Sequence, residues 1–167
     1  MTSPFVAILM GSDSDLPVMQ ATITILKQFD INHEVRVRSA HRTPEAAKAY
    51  VKDAEERGCK VFICAAGLAA HLAGAVAGMT TRPVIGVPVD NGPLQGHDAL
   101  LSTVMMPGGI PVATVAIGKA GAKNAGYLAA QILGVADQSI ADKVQAERIA
   151  NAKALLAKDE AMQAKLG

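Results

Sequence analysis

The sequence has few aromatic side chains and no excess of either charge. Of its 167 residues 3% are aromatic, tryptophan is absent, and 16 lysines and arginines stand against 15 aspartates and glutamates, which gives a formal charge of +1. An extended nucleic-acid surface needs clustered basic residues and aromatic side chains on which bases stack, so this composition argues against one. A small, locally charged ligand suits it better.

Cysteine and long apolar runs are also scarce. Cys59 and Cys64 are the only cysteines, and no neighbouring Cys or His pair completes a zinc-type ligand set, so we expect two reduced thiols, with Cys64 buried in a strand. No apolar stretch is long enough to cross a membrane, and the N terminus lacks the basic start and apolar run of a signal peptide. We therefore expect a cytoplasmic protein with no membrane partner.

Hydrophobic residues are plentiful and are grouped in short runs. They make up 50% of the chain, against 19% charged residues, which predicts a single domain over residues 1–167 with a core at about 5–134 and a C-terminal helical arm at about 137–167. Short apolar runs alternate with stretches of helical period, which is typical of βαβ units around a parallel sheet. The five predicted strands are FVAILM from Phe5, EVRVRS from Glu34, VFICAA from Val61, VIGVPV from Val84 and VATVAI from Val112.

The periodicity also predicts details of the strands and helices. Arg36 and Arg38 fall on one face of the second strand, which places it towards an edge of the sheet. A helix after it begins with Thr43 as its cap and closes at Gly58 in the left-handed conformation. The predicted core stripes are Met19, Ile23 and Leu26 in one helix and Ala47, Tyr50, Val51 and Ala54 in the next.

In an open parallel sheet the ligand lies outside the carboxyl ends of the strands, so polar residues there are candidates for a site. After the first strand, Gly11 lets a ligand approach the backbone and Ser12 can donate to an anion. Asp13 and Asp15 would repel a phosphate, so Asp15 is better suited to accept hydrogen bonds from sugar hydroxyls or a ring amine. An ordinary helix cap at Ser14 or Asp15 explains this loop equally well.

The loop after the second strand reads SAHR. Ser39 and Arg42 can hold a phosphate, the arginine through its planar fork of donors. His41 lies between them, and a histidine can both give and take a proton near neutral pH, so it is a candidate general acid/base. A surface histidine beside an arginine that binds no phosphate is the alternative.

The loop after the third strand is built of small residues, Ala65 to Ala70, with His71 near a helix start. Small side chains leave room for a flat ring, whereas His71 can equally pack or form a hydrogen bond at the helix start. The GKAG at Gly118 lacks the remaining residues of a phosphate-binding P-loop, and no GxGxxG follows a strand, so no dinucleotide is indicated.

Taken in order, five stretches resemble the class I N5-carboxyaminoimidazole ribonucleotide mutases of bacterial purine biosynthesis. They are MGSDSD at Met10, SAHRTPE at Ser39, AAGLAAHLAG at Ala65, PVIGVPV at Pro83 and MPGGIPVATVAIGKAGAKNAGYLAAQIL at Met106. Leu68 and Ala73 depart from the pattern, since many members have Gly and Pro there. The resemblance implies an α/β fold, a three-layer αβα sandwich with a central parallel sheet, flavodoxin-like, plus a C-terminal helix.

The resemblance also implies an activity and the residues for it. The family moves a carboxyl group from the exocyclic nitrogen of an aminoimidazole ribonucleotide to ring carbon C4, through transient CO2 and without metal, cofactor or ATP. His41 would be the catalytic acid/base, Ser39 and Arg42 would anchor phosphate, and His71 would support the site. The substrate-binding residues implied are Gly11, Ser12, Asp13, Asp15, Ser39, Ala40, Arg42, Gly67, Ala69, Ala70, His71 and Leu72.

Three other functions remain open at this stage. They are a class II relative that carboxylates aminoimidazole ribonucleotide directly with CO2, a non-catalytic nucleotide-binding module, and an accessory domain of a larger carboxylating assembly. The resemblance further implies a homo-octamer. A thin apolar stripe in the C-terminal arm, of Ile140, Val144, Ile149, Leu155 and Leu156, predicts that the arm packs on a neighbouring subunit, and a solvated tail is the alternative.

Overall fold

A computed structural model describes residues 4–167, so the first three positions of the predicted single domain lie outside the described residues. Its strands are β1 (Phe5–Met10), β2 (His33–Val37), β3 (Cys59–Ala66), β4 (Val84–Pro88) and β5 (Ala113–Thr114). Its α-helices are α1 (Leu16–Gln28), α2 (Pro44–Glu56), α3 (Leu72–Ala77), α4 (His97–Val104), α5 (Gly118–Gly134) and α6 (Gln138–Leu166), and a single 3-10 turn covers Asp13–Asp15.

The strands form one parallel sheet in the order β2-β1-β3-β4-β5. In β1, Ile8 pairs with Val35 of β2 on one side and with Ile63 of β3 on the other. This order is that of flavodoxin-like sheets, and it confirms the predicted fold class. The edge position predicted for β2 from its two arginines is also confirmed.

Helices cover both faces of the sheet because the inner strands are apolar on both sides. In β1, Val6, Ile8 and Met10 point to the face that α1 and α5 cover. The alternate residues Phe5, Ala7 and Leu9 point to the opposite face, which α2 and α3 cover. Both predicted core stripes in α1 and α2 are buried, as the periodicity indicates.

The start of α2 differs from the prediction. Thr43 occupies the capping position, but its side chain makes no cap hydrogen bond. Its hydroxyl donates instead to the carbonyl of Ser39 and accepts from the Ser39 N–H, so it holds the preceding turn together. Gly58 follows the helix with φ +97°, the left-handed conformation predicted for it.

The fifth strand is shorter than predicted. Only Ala113 and Thr114 pair with β4, opposite Ile85 and Gly86. The apolar run reads on to Ile117, but β5 has a neighbour on one side only, and Gly118 turns the chain into α5 with φ +71°. An apolar pattern marks a buried run and does not show how far its pairing continues.

The last helix, α6, is packed at its beginning and exposed at its end. Asp137 caps it by accepting from the amides of Ser139 and Ile140. Val144 is buried against the core, and Lys143 forms an ion pair with Asp30. Every residue from 148 onward is exposed. Within the described part of the chain, no helix combines the length and apolar character needed to span a membrane.

Candidate active site

A cavity of about 530 Å³ opens at the carboxyl ends of the strands. It lies beside β1, which has β2 on one side and β3 on the other, so the direction of the strand order reverses there. Open parallel sheets bind ligands at such a switch point. Its lining residues are Gly11, Ser12, Ser14, Asp15, Ser39, Ala40, His41, Arg42, Ala66, Gly67, Leu68, Ala69, His71, Leu72 and Asn91.

The loop after β1 is ordered by a capping box. The Ser12 side chain accepts from the Ser14 N–H, and the Asp15 carboxylate accepts from the Ser12 N–H at 3.1 Å. The other Asp15 oxygen accepts from the side-chain amide of Asn91 at 3.0 Å. Asp15 therefore serves as a scaffold for this loop while it lines the cavity, and the helix-cap interpretation and the ligand interpretation are compatible.

Asp15 is an acidic group in a poorly hydrated place. Its residue is only 2% exposed. Burial raises the pKa of the Asp15 carboxyl above its usual value, and the hydrogen bonds from Ser12 and Asn91 oppose that rise. A buried carboxylate with one side towards a cavity is suited to accept a hydrogen bond from a hydroxyl or an amine of a ligand.

The loop after β2 forms a tight turn that presents three side chains together. The Ser39 hydroxyl accepts from the Arg42 N–H at 3.1 Å, which leaves its own proton free to be donated. The Arg42 guanidinium donates to the carbonyl of Gly11 at 3.1 Å and so ties the second loop to the first. His41 lies between them and is exposed to the cavity.

The two cavity histidines are in contact with each other. His41 Nε2 lies 2.9 Å from His71 Nδ1, and the rings meet edge to face with centroids 4.9 Å apart. In a hydrogen bond one of these two nitrogens donates and the other accepts, so only one of the two carries a proton while the contact lasts. His71 thus contacts the proposed acid/base directly from the opposite wall.

Small residues form the wall beyond the histidines. At Gly67 a Cβ would lie 3.2 Å from the carbonyl oxygen of Val89 and 3.1 Å from Asn91, so any side chain there would crowd the backbone of the next loop. Ala66 and Ala69 continue this wall, and Leu72 closes it from the start of α3. The result is an apolar surface facing a polar one.

Most of the predicted site residues line this cavity. Asp13 and Ala70 do not: Asp13 is exposed beside the loop, and Ala70 is buried behind the wall, where its N–H donates to Ser102. Four lining residues were not predicted individually: Ala66 and Leu68 belong to the predicted small-residue loop Ala65 to Ala70, whereas Ser14 and Asn91 were not predicted to contact a ligand. The signal for Asn91 was available, because it follows β4 at the same carboxyl edge of the sheet.

The remaining candidate chemistry lies away from the cavity. Cys59 and Cys64 carry free thiols that are buried in β3, as expected for Cys64, and burial raises the pKa of the Cys59 thiol to about 11. Among residues 4–167 no group of three His, Cys, Asp or Glu side chains is arranged to hold a metal ion.

Comparison with known proteins shows the family to which the chain belongs. A family model described as AIR carboxylase matches residues 5–154. The chain belongs to this family. A Thermotoga maritima protein named N5-carboxyaminoimidazole ribonucleotide mutase is 58% identical over 142 residues, which are 85% of this chain and 82% of that protein. A Mycobacterium tuberculosis protein of the same name is 53% identical over 160 residues, 96% of this chain and 91% of its own.

The family fold is also seen in an experimental structure. The crystal structure of Treponema denticola PurE superimposes with a TM-score of 0.84 at 34% sequence identity, over 95% of this chain and 98% of that one. As a member of the AIR carboxylase family, the chain therefore has the sheet order and helix layers of its relatives over nearly its whole length.

Proposed function

We propose that the protein converts N5-carboxyaminoimidazole ribonucleotide into 4-carboxy-5-aminoimidazole ribonucleotide in de novo purine biosynthesis, as an isomerase. Relatives more than half identical over most of the chain carry the name of this mutase. The observation that carries the proposal is the cavity at the switch point, in which His41 lies between Ser39 and Arg42 and opposite a small apolar wall. A cytoplasmic location is part of the same proposal.

The polar side of the cavity suits the ribonucleotide. Arg42 and Ser39 offer charged and neutral donors to a phosphate, and α2 begins directly after them, so its N-terminal dipole favours an anion at the same place. Asp15 lies deeper and accepts hydrogen bonds from ribose hydroxyls or a ring amine. Asp13 is exposed beside the loop and does not line the cavity, so we assign it a weaker role than the other predicted binding residues.

The chemistry needs one group that gives a proton and takes one back. Protonated His41 donates to the exocyclic nitrogen as the bond from nitrogen to the carboxyl carbon breaks, and the electron pair of that bond stays on nitrogen while CO2 leaves. Ring carbon C4 then attacks CO2, and the neutral His41 removes the C4 proton. His41 ends in its starting state, and atoms and charge balance without another reactant.

The apolar wall suits the intermediate. CO2 is uncharged and small, so a surface of alanine and leucine side chains holds it through shape and dispersion without competing for its carbon. Residues Gly67 to Leu72 would enclose it beside C4 for the time that recarboxylation requires. His71 would hold the His41 ring in place through the contact at 2.9 Å.

The decisive experiment offers the purified protein two substrates in parallel. Formation of 4-carboxy-5-aminoimidazole ribonucleotide is followed by ultraviolet absorbance, starting either from the N5-carboxy nucleotide or from aminoimidazole ribonucleotide with bicarbonate. We expect efficient use of the N5-carboxy nucleotide. Preference for the decarboxylated nucleotide with CO2 would instead assign the class II reaction, and turnover of neither would leave a nucleotide-binding protein.

The matching variant is His41→Asn. The amide keeps a polar side chain but cannot carry a proton at neutral pH, so we expect the variant to bind the nucleotide and to lose turnover by at least about 100-fold. Binding is measured by calorimetry with the product. His97→Asn, on the exposed start of α4, is the control and keeps full activity. Turnover retained by His41→Asn would remove His41 from the catalytic role.

A further inference from the structure

Asn91 joins two loops that meet beside the cavity. It lies in the loop that follows β4, and its side-chain amide donates to Asp15 Oδ1 at 3.0 Å, across 76 positions of the chain. The other oxygen of this carboxylate, Oδ2, accepts from the Ser12 N–H at 3.1 Å. The Asp15 carboxylate is thus held between the backbone of its own loop and a side chain from a distant loop.

The asparagine side chain is itself held in place by the small-residue wall. The Val89 N–H donates to the Ala66 carbonyl at 2.9 Å, so the chain leaves β4 close beside the end of β3. A Cβ placed on Gly67 would lie 3.1 Å from Asn91 Cβ and 3.6 Å from its amide nitrogen, so the asparagine packs directly over this glycine. These contacts fix the path of the side chain from the wall to Asp15.

The hydrogen bond matters because Asp15 lies where there is little water to solvate a charge. The residue is 2% exposed, and burial raises the pKa of its carboxyl, whereas the hydrogen bonds from Ser12 and Asn91 lower that pKa. An N–H donor stabilises an ionised carboxyl more than a neutral one. The amide of Asn91 therefore favours the charged form of the group.

The other charged and titratable groups around Asp15 do not replace this donor. Asp13 is in the same loop, and its negative charge raises the pKa of the Asp15 carboxyl further. The groups that face the cavity from the loops after β2 and β3 are Arg42, His41 and His71. Their hydrogen bonds go to the Gly11 carbonyl or to each other. Within residues 4–167, Asn91 is the side chain that donates to Asp15.

We propose that Asn91 is a positioning residue that holds the Asp15 carboxylate in the orientation in which it accepts a hydrogen bond from the nucleotide. The inference rests on the proposed function, in which ribose hydroxyls or a ring amine donate to Asp15. Without the asparagine, the carboxyl would be held by its own loop alone and would take up a proton at a higher pH. A neutral carboxyl is a weaker acceptor, so nucleotide binding would weaken most under acidic conditions.

The test measures binding of the product as a function of pH. The dissociation constant of 4-carboxy-5-aminoimidazole ribonucleotide is determined by calorimetry between about pH 5.5 and 8 for the parent, Asn91→Leu and Asn91→Ala. Both variants remove the donor but they differ in size, so an effect that they share comes from the lost hydrogen bond and not from packing. Leu94→Ala is the matched control, since Leu94 is 59% exposed in the same loop and does not line the cavity.

We expect both Asn91 variants to bind about 10-fold more weakly than the parent at about pH 6, which corresponds to a rise of about one unit in the pKa of Asp15. The difference should narrow as the pH rises and the carboxyl ionises, and Leu94→Ala should match the parent throughout. A loss of the same size at every pH would overturn the inference, because a direct contact between Asn91 and the nucleotide gives that result. Binding equal to that of the parent would overturn it too.

A second comparison shows whether Asn91 acts through Asp15. Asp15→Asn cannot ionise, so the addition of Asn91→Leu to it should cause no pH-dependent change in binding. A pH-dependent change that persists in this background would show that Asn91 acts on another group, contrary to the inference. The mutase function has a separate readout: a parent protein that binds the product but does not convert the N5-carboxy nucleotide would overturn that function, and the binding series would still decide the role of Asn91.

Discussion

The Arg42 guanidinium lines the cavity and also connects the first two loops through the carbonyl of Gly11. If it holds the phosphate, Arg42→Ala removes a charge-assisted contact, and we expect the Michaelis constant to rise about 10- to 100-fold, with a smaller change in kcat. Steady-state kinetics with the N5-carboxy nucleotide measure both. Arg36→Ala, an exposed arginine of β2 outside the cavity, should leave both constants as they are; an unchanged Michaelis constant in Arg42→Ala contradicts the phosphate assignment.

The buried Asp15 carboxyl predicts a pH effect on stability. Because burial raises its pKa in the folded chain above the ordinary 3.8, the folded state binds more protons than the unfolded state between the two values, and stability falls as pH rises through that window. Asp15→Asn cannot ionise, and its oxygen still accepts from Ser12. We expect the variant to gain stability relative to the parent as pH rises from about 4, until the native carboxyl is ionised.

Denaturant unfolding of both proteins at a series of pH values measures this difference in the free energy of unfolding. A relative gain that grows as the pH falls would have the wrong sign and would show that Asp15 is better stabilised as a carboxylate in the folded chain. Glu34 provides a contrast, since the hydrogen bond from Arg57 lowers the pKa of its carboxyl below the usual value.

The residues of the site could be predicted only in part from the sequence. His41, Arg42 and Asp15 follow strands directly, so the rule for parallel sheets places them at one edge. The contact between His41 and His71 joins residues 30 positions apart, and the hydrogen bond between Asp15 and Asn91 joins residues 76 apart. Such pairings depend on loop conformations, which local sequence patterns do not specify.

At the scale of elements, prediction succeeded where burial repeats regularly. The first strand begins and ends as its apolar run does, and the stripes of α1 and α2 lie on the core as predicted. It was wrong for the length of β5, because pairing there depends on a neighbouring strand and on the turn at Gly118. It was also wrong for the Thr43 side chain. The same hydroxyl can cap the helix or form hydrogen bonds with Ser39 in the preceding turn, and the sequence does not show which of the two it does.

The packing of α1 against α5 depends on a glycine. A Cβ on Gly126 would lie 2.8 Å from Ile25 Cβ and 3.2 Å from the Thr22 carbonyl oxygen. Overpacking of this kind costs about 1 to 3 kcal/mol, and the better helix propensity of alanine returns up to about 1 kcal/mol. We therefore expect Gly126→Ala to lower the free energy of unfolding by about 1 to 2 kcal/mol.

The matched control for this contact is Asn124→Ala. Asn124 is exposed on the same helix, so the substitution raises helix propensity without changing the contact with α1. Denaturant unfolding should show the control at or slightly above the stability of the parent. Gly126→Ala as stable as Asn124→Ala would mean that the two helices can separate at no cost, and that the close approach is not required.

For the whole molecule, the parallel topology gathers four separate loops at one edge, and α6 packs along α5, with Ala141 beside Gly134 and Glu147 accepting from the Tyr127 hydroxyl. Beyond its first turns this helix has no neighbour among the described residues that covers its apolar side chains. Ile149 is 60% exposed and Leu155 69% exposed, and both lie in the stripe that indicates contact with another subunit. We propose that this exposed half of α6 is a contact in a homo-octamer.

Burial of a leucine or isoleucine side chain contributes about 1.5 to 3 kcal/mol, so a few such residues repeated around a symmetric assembly are sufficient to hold it. Replacing Ile149, Leu155 and Leu156 together by serine should therefore reduce the mass measured by light scattering from that of an octamer to smaller species. The far-UV circular dichroism should stay close to that of the parent, because these side chains are exposed and do not belong to the core clusters.

A matched triple replacement of Asn151, Lys153 and Lys158 by serine changes helix propensity on the same segment without removing apolar surface, and we expect its mass to equal that of the parent. Equal masses for the two triple variants would show that the stripe makes no subunit contact and that this end of α6 is a solvated tail.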